Sequence, residues 1–106
     1  SGSTSTNNTA IGQHAGQVID DGNYNIFVGS DAGQNVTSGS GNVIIGSVDA
    51  AAVDSARTLK ITGYDGSTTT TWISGDSSAN VVIGGTVTEY GGASLTTTGK
   101  ALVMGF

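Results

Sequence analysis

The sequence predicts an all-β protein whose first half is a repeat structure, and two observations lead to this prediction. The motif Asn-x-x-(Ile/Val)-Gly occurs at residues 8–12, 25–29 and 42–46, at a constant spacing of 17 residues. Each copy is a short apolar cluster closed by glycine, and the chain contains no proline. A fixed period of this kind indicates supersecondary units that stack on their neighbours. We therefore expect a parallel β-roll of 17-residue coils.

The repeat unit extends beyond these five residues. Ala-Gly-Gln occurs at residues 15–17 and again at 32–34, in the same register. Weaker apolar clusters at residues 18–19 and 35–36 predict a second short strand in each repeat. Turns are expected at Ala-Gly and at the Asp-, Asn-, Ser- and Gly-rich segments between the clusters.

Equivalent strands of a parallel roll lie about 4.8 Å apart, so each column of the repeat becomes a ladder of like residues. Stacked asparagine amides can hydrogen-bond along such a column, and glycine suits positions with positive φ or close backbone approach. The predicted structural positions are Asn8, Asn25 and Asn42 with Gly12, Gly29 and Gly46. The residues expected to face either the roll interior or a partner chain are Ile11, Phe27, Val28, Ile44 and Ile45.

After Ser47 the period is expected to lapse, and the alanine-rich residues 48–56 predict a short helical turn or a linker. The predicted organisation is a β-roll (1–49), a linker (50–57) and a Thr- and Gly-rich β region (58–106). Strands are predicted at 58–62, 69–74, 80–83, 86–90, 93–98 and 100–104, with Asp65-Gly66 as the strongest hairpin signal. The echo of the motif at 80–84 is either a fourth coil after an insertion or a β segment in another setting.

Composition excludes several function classes. The net charge is −5 with only three Lys and Arg residues, too few to neutralise many phosphates, which argues against binding of nucleic acid or of an anionic membrane surface. No apolar run approaches the ~20 residues that span a bilayer, so no membrane insertion is expected. The absence of cysteine excludes disulfides and thiolate metal sites. A roll of few coils has open ends and exposed strand edges, which favour association.

The repeat phrases also resemble those of known proteins. Residues 8–16 and 25–33, with Gly-Ser-Gly-Asn at 39–42, resemble the repeats of bacteriophage tail fibres and of the head domains of trimeric autotransporter adhesins. The resemblance spans residues 7–49. It implies a trimer whose chains coil into β-rolls or intertwined β structures, located in a virion or outside the cell, and a role in binding host surfaces.

The expected function is that of a non-enzymatic structural or adhesive module of a homotrimeric fibre, in the first place a phage tail fibre. It would position or form a contact with a host cell-surface polysaccharide or protein. The alternative is a self-assembling extracellular filament subunit in which the strand near 101–104 pairs with the next subunit. A fragment of a polysaccharide-degrading tailspike is a more distant alternative. An ice- or mineral-binding roll is disfavoured because the column of Thr9 continues with Ile26 and Val43.

Catalytic residues find little support in the sequence. The only histidine, His14, falls in the column of Asp31, which predicts at most an ion pair between neighbouring rungs. Such a pair without a nucleophile does not make a triad. A glycosidase needs two carboxylates across a sugar-sized gap, and no spacing selects a partner for Glu89.

Binding residues are suggested at two places. The acidic turn with Asp20, Asp21 and Asn23 offers oxygen ligands suited to Ca²⁺, but it has neither the EF-hand spacing nor the repeated Gly-rich nonapeptide, so a plain turn is favoured and no cofactor is expected. Aromatic rings among hydroxyl groups can stack on sugars, and the resulting candidate glycan contacts are Tyr24, Tyr64 and Trp72. Core or interchain packing is the stronger interpretation for Trp72.

Overall fold

A computed structural model describes residues 5–88 of the chain, and within this range the fold is all-β without a helix. The all-β class predicted from the sequence is confirmed. Six strands form one sheet in sequence order. They are β1 (Thr9–Ile11), β2 (Ile26–Val28), β3 (Val43–Ile45), β4 (Leu59–Tyr64), β5 (Thr69–Gly75) and β6 (Val81–Ile83).

The first four strands are parallel, and their pairing follows the sequence period. Thr9 pairs with Ile26 and Ile26 with Val43, each 17 residues further along the chain. Val43 then pairs with Leu59, 16 residues later. The 17-residue period therefore ends after Ser47, whereas the parallel pairing of strands continues. A fourth rung continues the stack with one residue fewer, although it lacks the asparagine and glycine of the motif.

Residues 50–57, predicted as a linker, form the return segment between β3 and β4. The Val53 carbonyl accepts hydrogen bonds from three successive N–H groups, those of residues 37–39, at 2.9 to 3.3 Å. The N–H of Arg57 donates to the Ser40 carbonyl at 2.9 Å, and the Ala50 side chain is buried. This segment thus packs on the preceding turn, and the sheet is continuous across it.

The prediction of a second strand in each repeat is wrong. Residues 13–18 and 30–35 are turns. His14 and Asp31 both have φ of 61°, and the glycine two residues after each also has a left-handed backbone. Two such residues in quick succession wind the chain instead of extending it.

The hydrophobic core is small and lies under β2 and β3. Phe27 and Ile44 are paired in register and fully buried. The Phe27 ring is contacted on two sides by the turn glycines Gly16 and Gly33: a Cβ at Gly33 would lie 2.5 Å from the ring. This contact explains why Ala-Gly recurs in the turn. On β4 the residue paired with Ile44 is Lys60, so the buried apolar positions end there. Its Nζ donates to the Asp49 carbonyl at 2.8 Å.

The last three strands form two successive hairpins. β4 and β5 are antiparallel, joined by a turn in which Gly66 has φ of 97°, so the hairpin predicted at Asp65-Gly66 is confirmed. The motif echo at 80–84 supplies β6, which pairs antiparallel with β5 and is therefore not a fourth coil. Of the strand predicted at 86–90, the described residues 86–88 are not in a strand. The strands predicted at 93–98 and 100–104 lie outside the described residues.

Candidate functional site

The two faces of the sheet have different surroundings, because side chains alternate along each strand. The central residues of β2 and β3, Phe27 and Ile44, point into the core. Their neighbours in each strand therefore point to the opposite side, which we call the outer face. Paired residues of adjacent strands share a face, so the register extends the outer face across the whole sheet.

The outer face is an apolar surface two residues wide. One row follows the third position of each parallel strand and continues into both hairpin strands, with a branched aliphatic residue at all six places. The second row is aliphatic at four places. Ile11 is 61% exposed, Ile26 42% and Ile83 44%. The outer face consists of Ile11, Val28, Ile45, Ile61, Ile73 and Ile83 in one row and Ile26, Val43, Leu59 and Val81 in the other.

A ladder of asparagine amides holds these strands in register. Asn25 accepts, at Oδ1, bonds from both the backbone N–H (2.9 Å) and the side-chain amide (3.0 Å) of Asn42. Asn8 accepts the same two bonds from Asn25 at 2.9 and 3.1 Å. On the fourth rung Thr58 replaces asparagine and donates its N–H and hydroxyl to Asn42. Asn25 and Asn42 are fully buried, so their side chains fix the spacing of the rungs.

The motif glycines occupy a second column with positive φ. The values are 128° at Gly12, 132° at Gly29 and 120° at Gly46. At Gly12 a Cβ would lie 2.4 Å from the carbonyl oxygen of Gly29, so the column allows no side chain. The residues predicted to face the interior or a partner divide between the faces. Phe27 and Ile44 lie in the core, whereas Ile11, Val28 and Ile45 lie on the outer face.

The polar positions outside the strands form side-chain ladders of the same kind. His14 Nδ1 lies 3.0 Å from Asp31 Oδ1, on neighbouring rungs, and both side chains are exposed. Gln34 donates to Gln17 at 3.1 Å, again 17 residues apart. These contacts link successive turns at the surface.

The acidic turn uses its groups within the fold. Asn23 Oδ1 accepts hydrogen bonds from the Thr6 backbone N–H and hydroxyl, and its amide donates to the Asp21 carbonyl at 3.0 Å. The backbone N–H groups of residues 20–22 all point to the Thr37 carbonyl. Among the described residues no three His, Cys, Asp or Glu side chains are grouped closely enough to hold a metal ion. Glu89 lies outside the described range.

Two of the three candidate glycan contacts come together at the β4–β5 hairpin. Tyr64 and Trp72 line the same groove of about 410 Å³, which we call the hairpin groove. Its other lining residues are Gly63, Asp65, Thr68 and Thr70. Tyr24 lines neither this groove nor the adjoining one and is exposed at the turn before β2.

A β-bulge places Trp72 in the groove. Ile61 pairs with Ile73 but Thr62 pairs with Thr71, so Trp72 is an extra residue without a partner in β4. Its indole lies over Gly63, where a Cβ would be 2.5 Å from the ring. The sequence alone could not show this contact, because it depends on the bulge. The sequence contains only the two residues themselves, Gly63 directly after the predicted strand 58–62 and Trp72 within the predicted strand 69–74.

A second groove of about 400 Å³ also has Tyr64 in its lining. We call it the acidic groove, since it is lined by Asp31, Gln34, Ser47, Val48, Asp49 and Tyr64. Tyr64 is thus shared by both grooves. The hairpin groove is lined by aromatic and hydroxyl groups together with Asp65, whereas the acidic groove contains two aspartates, Asp31 and Asp49.

Comparisons of this chain with protein-family models, with curated proteins and with solved structures give no match. The described residues also contain no helix long and apolar enough to cross a membrane. The function is therefore inferred from the geometry of the outer face and of the two grooves, together with the repeat.

Proposed function

We propose that this chain is a structural and adhesive module of a homotrimeric fibre, in the manner of a bacteriophage tail fibre, and that it positions or forms a host-surface contact. In this proposal the 17-residue units are coils of a parallel β-roll, and the fibre belongs to a virion or lies outside the cell. The first half carries the resemblance to tail fibres and trimeric adhesins, at residues 7–49. The observation that carries the proposal is the apolar outer face, which the other described segments of the chain leave partly exposed.

The size and composition of the outer face favour coverage by other protein chains. It crosses six strands, and the five spacings of ~4.8 Å between them add up to about 24 Å. No charged residue lies in either of its rows, although the chain has a net charge of −5. Continuous apolar patches of this kind on a small protein mark interaction surfaces. A second copy of the chain has the same two apolar rows without charged residues, at the same strand spacing. Identical chains are therefore the simplest partner for this face.

The arrangement of the rungs also supports a fibre. Each parallel rung repeats the hydrogen bonds of the one before it, and β1 is an edge strand of the sheet. Stacks of this type lengthen by adding units along one axis, and they present the same face at every level. A surface repeated along an axis is suited to contact with sister chains that run beside it.

Native mass tests the proposal. Light scattering during size-exclusion chromatography, repeated over a hundredfold range of protein concentration, is expected to give a constant mass of three chains of 10.4 kDa each. A mass of one chain at all concentrations would contradict the proposal. The measurement also addresses the filament alternative, which is favoured by the open edge at β1. A filament subunit would give masses that increase with concentration, because open assembly does not close at a fixed number.

A further inference from the structure

We propose that the hairpin groove and the acidic groove together form a binding site for a neutral, hydroxyl-rich oligosaccharide, with Trp72 as the stacking platform. The proposal deepens the host-surface role and rests on it for the biological source of the sugar. The binding chemistry itself is argued from the grooves alone.

The platform is an aromatic ring fixed on a glycine. The Trp72 indole lies over Gly63 without an intervening side chain, and the residue remains 55% exposed. The face of an aromatic ring carries partial negative charge and attracts the polarised C–H groups of an apolar sugar face. Tyr64 is also exposed and lines the same groove, so a second ring is available beside the first.

Hydrogen-bonding groups surround this platform. The hydroxyls of Tyr64, Thr68 and Thr70 and the indole N–H make no hydrogen bond to any other residue in the described part of the chain, so they remain available to a ligand. A few polar groups beside an apolar surface are what orients a ligand in a pocket. Hydroxyl groups both donate and accept, which matches the hydroxyls of a sugar.

Asp65 adds an ionised acceptor at the end of the groove. Its Oδ1 accepts backbone N–H bonds from Thr68 at 2.8 Å and Ser67 at 2.9 Å. These bonds hold the pKa of the carboxyl below its ordinary value, so the group is ionised at neutral pH. Its Oδ2 makes no hydrogen bond within the described residues and can accept one from a sugar hydroxyl.

The second groove determines which sugars fit. Asp31 and Asp49 line it, and with Asp65 they place three carboxylates in the lining of the two grooves. The nearby basic side chains are Lys60, whose Nζ donates to the Asp49 carbonyl, and His14, which contacts Asp31. Carboxylates in excess repel an acidic sugar and accept hydrogen bonds from a neutral one. The site therefore favours neutral sugars over uronates.

The extent of the site indicates an oligosaccharide. Each groove has a volume of about 400 Å³, within the range of small-ligand pockets of about 300–1,000 Å³, and the two share only Tyr64. A ligand long enough to contact both grooves would lie beside Tyr64, which lines each of them. The hairpin residues 62–64 extend beyond Ile45, where β3 ends, so the grooves lie past the paired end of the outer face.

The test is titration of the full chain with matched sugars. The probes are hexasaccharides of glucose, galactose and mannose, and the corresponding hexamers of glucuronate, galacturonate and mannuronate. Because Trp72 is the only tryptophan in the chain, its fluorescence reports binding at this site directly. We expect at least one neutral hexamer to change this fluorescence and to release heat in calorimetry, with a Kd below about 1 mM. Its uronate counterpart should bind at least about tenfold more weakly.

Variants assign the binding to the groove. Trp72→Ala is expected to weaken the neutral hexamer at least about tenfold in calorimetry, while Tyr24→Ala, an exposed aromatic outside both grooves, leaves it unchanged. Thr70→Val keeps the side-chain shape and removes one hydroxyl, and should weaken binding measurably. Asp49→Asn should reduce the difference in Kd between neutral and uronate hexamers.

Three results would overturn the proposal: no neutral hexamer binds, Trp72→Ala binds as well as the native chain, or a uronate binds as tightly as its neutral counterpart. If Trp72→Ala changes the native mass, Thr70→Val decides the question. The outcome is separable from that of the fibre proposal. If the chain is a trimer but binds none of the sugars, only the oligosaccharide-site proposal is overturned. If it is a monomer that binds them, only the trimer proposal is overturned.

Discussion

The stacked region, residues 5–58, contains the three motif strands, and the hairpin region, residues 59–88, begins with the fourth rung, β4. The two regions belong to one sheet but bury their side chains to very different degrees. Every buried residue of the described chain except Thr62 lies in the stacked region. There the turns between strands pass beneath the sheet and cover its inner face. In the hairpin region the strands are joined by short turns that cover nothing, so the residues beyond Thr62 are half-buried or exposed on both faces.

The same motif occurs in both regions and behaves differently in each. In the stacked region Asn42 is fully buried, and Ile44, two residues later, is 0% exposed. In the hairpin region Asn80 is exposed and bonded to the side chain of Asp76, and Val82 is 60% exposed. The burial of the motif therefore depends on the strands that neighbour it, and not on its own sequence. These matched positions allow the comparison to be tested pair by pair.

The largest expected effect is at the core position of the motif. Ile44→Ala should lower the free energy of unfolding by about 2–5 kcal/mol, because it leaves a cavity beside Phe27. Val82→Ala, at the matching position of β6, should change it by less than about 0.5 kcal/mol. Chemical denaturation at a fixed protein concentration measures both. Equal losses would mean that β6 is covered as well as β3 and would remove the difference between the regions.

The asparagine of the motif should show the next largest difference. Asn42→Ala removes the acceptor of the Thr58 N–H and the donor to the Ser55 carbonyl. Both bonds are only partly buried, so each orphaned group should cost the lower part of the range of about 1–3 kcal/mol, and we expect the free energy of unfolding to fall by about 2–4 kcal/mol. Asn80→Ala, whose partner is solvent-exposed, should cost less than about 1 kcal/mol. Hydrogen exchange of the Thr58 amide provides a local readout. Unchanged protection in Asn42→Ala would contradict the ladder.

A smaller contrast is expected at two glycines with ordinary backbone angles. A Cβ at Gly39 would meet the Ser55 carbonyl oxygen at 1.9 Å, whereas at Gly85 it would meet nothing within 4 Å. Gly39→Ala should therefore destabilise by about 1–3 kcal/mol through forced separation of two rungs. Gly85→Ala should be neutral within about 0.5 kcal/mol. Thermal unfolding of the two variants side by side provides the comparison, and a tolerated alanine at Gly39 would show that the rungs can separate easily.

The smallest effect is the acid response of the hairpin turns. Backbone N–H bonds lower the pKa of Asp65, and bonds from Asn80 and Ser78 lower that of Asp76, both from an ordinary value of 3.8. A lowered pKa in the folded state stabilises the turns fully above about pH 3.8, and this stabilisation is lost as the pH falls through the lowered value. Thermal melting from pH 7 to pH 2 should show a smaller acid-induced loss in Asp65→Asn than in the native chain. An identical loss would exclude a contribution from this turn.

The features that the sequence predicted are those formed by residues at the same position of successive 17-residue repeats. The parallel register, the asparagine ladder and the contact between His14 and Asp31 all follow from the spacing of 17 residues. The fourth rung could not be recognised in this way, since Thr58 and Thr62 stand where the motif has asparagine and glycine. What remained visible was the pair of aliphatic residues, Leu59 and Ile61, at the outer-face positions.

Other features depend on backbone geometry and on contacts that do not follow from the repeated positions of the sequence. The second strand of each repeat was a wrong prediction because the backbone at His14 and Asp31 is left-handed, and apolar clusters alone do not show this. The grooves depend on the bulge at Trp72 and on the return of Tyr64 toward Asp31, contacts between segments with no common period. Pairing of Tyr64 and Trp72 in one site was therefore beyond the sequence.

The central claim is that sister chains cover the outer face, and thiol labelling tests it most directly. The chain has no cysteine, so Ile45→Cys places a single thiol on the outer face and Val53→Cys places one on an exposed return segment. Both native side chains are partly exposed in the isolated chain, at 41% and 50%. We expect a maleimide reagent to modify the cysteine at 45 at least about tenfold more slowly than that at 53 in the native particle, and at similar rates once the chains are dissociated. Equal rates in the native particle would contradict the claim.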